Sequence, residues 1–140
     1  MLCDGDGCIL DVELTSDGPE NLTQSQDGFI VHANHFLCST HAHRRNHEQS
    51  LPDSFSRQDR MTRLIAARYG SLTVDDLKSF LSDHENYPTG ICRHPHNGPD
   101  HTMLDKTSRT VAALIAEPAR GRLHVSCGNP CENPFVEYAF

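Results

Sequence analysis

The sequence contains no apolar stretch approaching the roughly 18 consecutive residues that a membrane span requires. Its first ten residues, MLCDGDGCIL, have neither a basic n-region nor an apolar h-region, so no signal peptide is read here. Positive charge is scarce: 12 Lys and Arg face 19 Asp and Glu, for a formal net charge of −7. Phosphate backbones demand clustered cations, which argues against a nucleic-acid partner. Glycine-rich phosphate loops and the G-x-S-x-G nucleophile elbow are both missing. Apolar residues make up 36% of the chain, slightly below the globular norm, so a core built from its 140 residues is thin. No internal repeat and no low-complexity segment occurs, and the length fits one domain. These absences leave the location cytoplasmic or unknown, with no membrane and no nucleic acid expected among its partners.

Without a secretory segment, the six cysteines (Cys3, Cys8, Cys38, Cys92, Cys127 and Cys131) are read as reduced thiols. The sequon Asn21-Leu22-Thr23 then has no role.

The residues that are present alternate and repeat in legible ways. In 8–14, CILDVEL, Leu10, Val12 and Leu14 alternate with Asp11 and Glu13. Period two predicts a half-buried strand with the apolar row inward. TSDGPEN reads as a turn, and 28–36, GFIVHANHF, as a second strand making a hairpin-like pair with the first. The polar stretch 38–52 reads as an exposed loop. Met61, Leu64, Ile65 and Tyr69 recur at helical spacing over 54–69, closed by Gly70. Thr73, with Asp76 three residues on, is a capping box for a second helix whose stripe is Val74, Leu77 and Leu81, with Phe80. That helix is expected to end near Asp83-His84. TVAALIA at 110–116 is apolar on both faces, as in a central, doubly covered strand. RLHVSC and PFVEYAF add two more strands. Helices grouped between blocks of antiparallel strands predict an α+β fold.

Histidine is plentiful. Cys92, His94 and His96 lie close together, and so do Cys127 and Cys131. A tetrahedral zinc site takes about four ligands, usually from paired close-spaced motifs. Neither C-x-x-C nor H-x-x-x-H occurs here with a matching second pair, so no metal and no cofactor is expected. A small metal protein built on Cys92, His94 and His96 remains a minor reading. The arginines of the first helix (Arg57, Arg60, Arg63, Arg68) read as a solvated face rather than an anion grip.

Asn34 ends an apolar run, where a turn is the ordinary explanation. A carboxamide fixed at a strand end can also donate to a developing oxyanion, because it is aimed before the charge appears.

Several stretches taken in order alter that balance: ILDVE, GFIVHANHF, DSFSRQDRMTRL, LTVDDLKSFLSDHENYPTGICRHP and RLHVSCGNPCENPFVEYAF. Together they resemble the C-terminal portion of the acyl-coenzyme A:6-aminopenicillanic acid acyltransferase family, cysteine members of the N-terminal-nucleophile hydrolases. The resemblance implies a partial αββα sandwich over 1–140. It also implies amide or acyl-thioester substrates, processed through a cysteine acyl-enzyme whose own α-amino group is the base. Asn34 matches the family's oxyanion donor. The family's nucleophile precedes the Asn-His-Phe segment by a long way, so it is expected outside this chain, in a missing N-terminal half or subunit. Cys3 and Cys8 are rejected for the part because both lie at the first strand. Arg93 and His94 lie in a matching segment and are candidate substrate-binding residues. Two roles fit Arg93: a fork onto a substrate carboxylate, or a tie to Glu132. The expected function is that of an amide-processing acyltransferase or hydrolase, inactive alone. The alternative is a non-catalytic binding module on the same scaffold.

Overall fold

The structure, a computed structural model, describes residues 2–3, 6, 8–15, 18–25, 28–37, 53–96 and 107–140. The loop expected over 38–52 lies outside the described residues, as do His41, His43, His47 and His101. The chain divides into two compact units, Met1–Gln58 and Asp59–Phe140.

The first unit holds three antiparallel strands in the order β1 (Leu2–Cys3), β2 (Ile9–Thr15), β3 (Gly18–Gln24). The partner of β2 is therefore not 28–36. It is the segment whose Gly18, Pro19 and Asn21 suggested a turn, with Asp11 opposite Thr23 and Val12 opposite Leu22. Pro19 is accommodated because β3 is an edge strand and Pro19 falls where the register shifts, at Glu13/Leu14.

Residues 28–37 form no ladder, and side chains satisfy their backbone instead. Phe29 O accepts from Ser25 Oγ at 2.8 Å and Val31 O from Gln58 Nε2 at 3.0 Å. Asn34 N donates to Ser54 Oγ at 2.7 Å, and Leu37 N donates to Glu13 Oε1. The alternation of β2 is real, but its sign is the reverse of the expectation. Asp11 and Glu13 are each 3% exposed, whereas Leu14 is 66% exposed. The carboxylates face inward because they receive hydrogen bonds there, Asp11 from His32 and Glu13 from Leu37 N.

Helix α1 (Asp53–Ala67) and helix α2 (Val74–Leu81) form where local signals place them. Thr73 Oγ1 accepts from Asp76 N at 3.1 Å, and Asp76 Oδ2 accepts from Thr73 N at 3.0 Å, completing the capping box. The Thr73 hydroxyl, donating to Asp76 Oδ2 at 2.7 Å, and then the Thr73 N–H hold the Asp76 carboxyl below the usual carboxylate range. Gly70 takes the left-handed conformation, φ +78°, that stops α1. Tyr69 lies past the helix end and is exposed rather than part of the covered stripe. The arginines of α1 make ion pairs, Arg57 with Asp53, Arg60 with Asp83 and Glu85, Arg63 with Asp59 and Glu85, and Arg68, just past the helix, pairs with Asp76.

The second unit carries an antiparallel meander: β4 (Ala112–Glu117), a 3-10 turn at Pro118–Arg120, β5 (Arg122–Cys127) and β6 (Val136–Ala139). Its core among the described residues is small: Phe80 of α2, Ala113 and Ile115 of β4, and Cys92 are buried, and α2 lies in contact with β4. Among the described residues β4 is an edge strand rather than a central one, and only one of its faces is covered. Leu114 is 60% exposed, on the same outward row as Val125, its partner in register, and Val136, which pairs with Val125 in turn. On β5 the inward row is His124 and Ser126. His124 Nε2 bonds Glu117 Oε1 at 3.0 Å, which draws the Glu117 carboxyl below its ordinary range. Mixed α+β architecture is thus observed, with two helices and two three-stranded antiparallel sheets among the described residues. No described helix is long and apolar enough to cross a membrane.

Candidate functional site

The first unit presents a concavity of about 390 Å³ lined by residues 11–14 of β2, from both of its rows, and by the segment 32–36. That volume falls in the range of small-molecule sites, about 300–1,000 Å³. Asn34 lies in its lining and is itself solvent-exposed.

Three contacts from α1 fix this stretch. Ser54, fully buried, takes the Asn34 backbone N–H and sits 2.8 Å from His35 Nδ1. The His35 ring stacks on Phe55 with centroids 3.7 Å apart. Arg57 Nη2 donates to Asn34 Oδ1 at 2.8 Å, while Arg57 Nε donates to Asp53 Oδ2 at 3.1 Å. A guanidinium can only donate, so the group facing Arg57 must be the Asn34 oxygen. The amide nitrogen Nδ2 is then the free end, with no acceptor among the described residues. Asn34 is thus a donor held by its own oxygen at the rim of a pocket.

Beside it lie Asp11, Glu13 and His32, whose ligand atoms all fall within 4.8 Å of one another. His32 Nδ1 is 2.8 Å from Asp11 Oδ2. This acidic floor was not foreseen as part of a site, because the alternation of β2 was read with the carboxylates turned to solvent. Cys3 lies in β1 opposite Ile9, and Cys8 is half-buried just before β2.

Arg93 and His94 lie in the second unit, in the chain between α2 and β4. That chain folds back on itself. Tyr87 N donates to His84 O at 2.9 Å, Cys92 N to Asp83 O at 3.0 Å, and His94 N to Pro88 O at 2.9 Å. Asp83 is gripped from α1 by Arg60, whose Nε and Nη2 reach its two oxygens at 3.1 and 2.6 Å. That fork holds the Asp83 carboxyl below the usual carboxylate range. The result gathers His84, Cys92 and His94.

A fourth side chain joins them from the turn after β5. Gly128, φ +92°, starts that turn, and a Cβ there would stand 2.8 Å from Asn133 Nδ2. Asn133 Nδ2 donates to Asn129 O, and Ser126 Oγ to Asn133 O, both at 3.0 Å. Cys131 is thereby presented to the loop, its Sγ 3.5 Å from Cys92 Sγ and 3.3 Å from His94 Nε2. Desolvation, followed by the interactions with the Cys92 thiol, pushes the Cys131 thiol up to about 11. Glu132 Oε1 is 3.7 Å from His94 Nδ1. Arg93 meets the same turn through its backbone, with its carbonyl accepting from Asn129 Nδ2 at 2.8 Å.

Sequence spacing therefore identified two of these four residues as neighbours, Cys92 and His94, and saw Cys131 only beside Cys127. His96 and Cys127 are not in the group that forms. His84 carried no local signal, since it meets Cys92 only through the fold-back of the loop.

Comparison with known proteins agrees with the resemblance. A family model described as "Acyl-coenzyme A:6-aminopenicillanic acid acyl-transferase" matches residues 1–132. The 40 kDa form of acyl-coenzyme A:6-aminopenicillanic-acid-acyltransferase from Emericella nidulans is 39% identical over 98 residues, covering 66% of this chain and 27% of that protein. The chain thus spans about a quarter of the length of the relative it matches.

Proposed function

The chain belongs to the acyl-coenzyme A:6-aminopenicillanic acid acyl-transferase family, and on that premise we propose that it is the oxyanion-stabilising portion of a cysteine-dependent acyl-transfer enzyme. The observation that carries this reading is the clamp on Asn34. Arg57 holds the carboxamide oxygen, which leaves Nδ2 as a donor at the edge of a ligand-sized concavity. In the proposed reaction a cysteine thiolate adds to an amide or acyl-thioester carbonyl. A C–S bond forms, and the carbonyl electrons move onto oxygen. Asn34 Nδ2 donates to that oxyanion. Collapse expels the amine or thiol and leaves an acyl-cysteine, which water or a second amine then attacks.

In this reading the thiolate comes from a part of the enzyme outside these 140 residues, as a free N-terminal cysteine whose α-amino group is its base. The architecture is part of an αββα sandwich, whose remaining layers the absent part would supply. The acyl donor is an acyl-coenzyme A and the acceptor a small amine of the 6-aminopenicillanic acid kind, by similarity to the fungal relative. Among the described residues, those lining the concavity include no cysteine, serine or threonine. That observation keeps a second reading in play, a binding module that retained the scaffold without the chemistry.

The test is to combine the chain with the remainder of such an enzyme and follow acyl transfer and N-acyl hydrolysis. Asn34→Ala is expected to lower kcat by about 10²–10³ with little change in KM. Unchanged turnover in that variant would falsify the assignment. Turnover by the 140-residue chain alone, abolished by Cys3→Ala, would overturn the placement of the nucleophile. A stable, monodisperse chain that stays inactive when complemented favours the binding module.

A further inference from the structure

We propose that His84, Cys92, His94 and Cys131 form a structural zinc(II) site in the second unit, independent of the acyl-transfer reading. Their ligand atoms all lie within 4.8 Å of one another. A zinc tetrahedron with Zn–S near 2.3 Å and Zn–N near 2.0–2.1 Å has edges of about 3.8 Å between sulfurs, about 3.6 Å between sulfur and nitrogen, and about 3.3 Å between nitrogens. The corresponding separations here are 3.5 Å for Cys92 Sγ–Cys131 Sγ, 3.6 Å for Cys92 Sγ–His94 Nε2, 3.3 Å for Cys131 Sγ–His94 Nε2, and 3.1 Å for His84 Nε2–His94 Nε2. Four of the six edges thus lie within about 0.3 Å of those the ion needs, the two from His84 to the sulfurs are within 4.8 Å, and the ring nitrogens converge with Nε2 atoms rather than carbon edges.

The surroundings supply a second, independent observation. Asn129 is 6% exposed, and its Nδ2 lies 3.4 Å from Cys92 Sγ while also donating to Arg93 O. An amide N–H aimed at sulfur suits a metal-bound thiolate, which accepts hydrogen bonds. Glu132 beside His94 Nδ1 occupies the place of the carboxylate that commonly orients a ligating imidazole.

With both thiols deprotonated the charges balance: two Cys–SH and one Zn²⁺ give a neutral Cys₂His₂ complex and two released protons. All four positions come from the protein, so the site is closed and its role is to clamp, not to activate water. It ties the loop after α2 to the turn after β5. That placement makes sense in a unit whose apolar core, among the described residues and apart from Cys92, is little more than Phe80, Ala113 and Ile115.

The experiment is metal analysis of the full chain, purified reduced and without chelator, with cobalt(II) titration as the spectroscopic probe. Near one zinc per chain is expected, with thiolate-to-cobalt charge transfer and the intense d–d bands of tetrahedral cobalt. Cys131→Ser removes an exposed ligand without opening the core. It is expected to weaken cobalt binding by more than the ~10–100-fold that a supporting residue costs, and Asn129→Ala by about that amount. Cys127→Ser is expected to leave binding unchanged. Absence of a thiolate band in reduced protein, equal binding by Cys131→Ser, or a Cys92–Cys131 disulfide in freshly isolated protein would each overturn the proposal.

Discussion

The two units are held together by different physics. In the second, Phe80, Ala113 and Ile115 bury apolar surface between a helix and a strand. In the first, no described apolar side chain is fully buried, and what is buried is Asp11, Glu13, His35, Asp53 and Ser54. Asp11, Glu13 and Ser54 are tied by hydrogen bonds to 32–37, His35 among them, and Asp53 is bonded by Arg57. A hydrogen bond nets only about 0.5–1.5 kcal/mol, because folding trades water partners for protein ones. Apolar burial brings roughly 1.5–3 kcal/mol for each fully covered large side chain. Judged by its described residues, the first unit is expected to open first, and it carries the candidate oxyanion donor. Pocket and weakness coincide, as is common where a surface must admit a ligand.

The sharpest way to break this contrast is Ile115→Ala. It removes the largest aliphatic side chain of the second unit's core and is expected to cost about 2–5 kcal/mol in denaturant unfolding. A loss below 1 kcal/mol would mean that the core is not where the stability lies. Next comes His32→Ala in the first unit. Asp11 would be left buried without its partner, at a cost of about 1–3 kcal/mol. Hydrogen exchange should show that loss confined to amides of 9–15 and 28–37, with β4 and β5 protected as before. Equal loss of protection in both units would erase the distinction.

The smallest effect is in pH. Glu117 has a depressed folded pKa from its bond to His124, so its contribution is present above the unfolded carboxylate range and is lost as pH falls through the lower, folded value. The melting temperature of the wild type should therefore decline on acidification below the ordinary carboxylate range, and Glu117→Gln should flatten that decline. A parallel decline in the variant assigns the acid sensitivity elsewhere.

What was legible in the sequence was what is local. The capping box at Thr73 and Asp76 and the stop at Gly70 each depend on residues a few positions apart, so α1 and α2 fall where they were expected. Strand periodicity was legible too. Which side of a strand faces inward was not, because that depends on what lies across it. Asp11 and Glu13 turn in toward His32 and the Leu37 amide, more than 20 positions away. The apolar run 28–36 carried a strand's composition, yet its backbone is occupied by Ser25, Ser54, Gln58 and Glu13 side chains. Asn34 was singled out by position and resemblance. Its anchor, Arg57, is invisible until the first turn of α1 is placed beside it. The sulfur–nitrogen cluster shows the same limit, since Cys131 reaches Cys92 across 39 positions.

The outward row of the meander has a practical side. Leu114, Val136 and Tyr138 stand more than half exposed on one sheet face, in line with Val125 and Leu123. Water wets such a face poorly, and salts that strengthen the hydrophobic effect make it wet less. Solutions of this polypeptide should scatter more light as ammonium sulfate is added, well before any helix melts. A single lysine in place of Leu114 should restore clarity while leaving circular dichroism untouched.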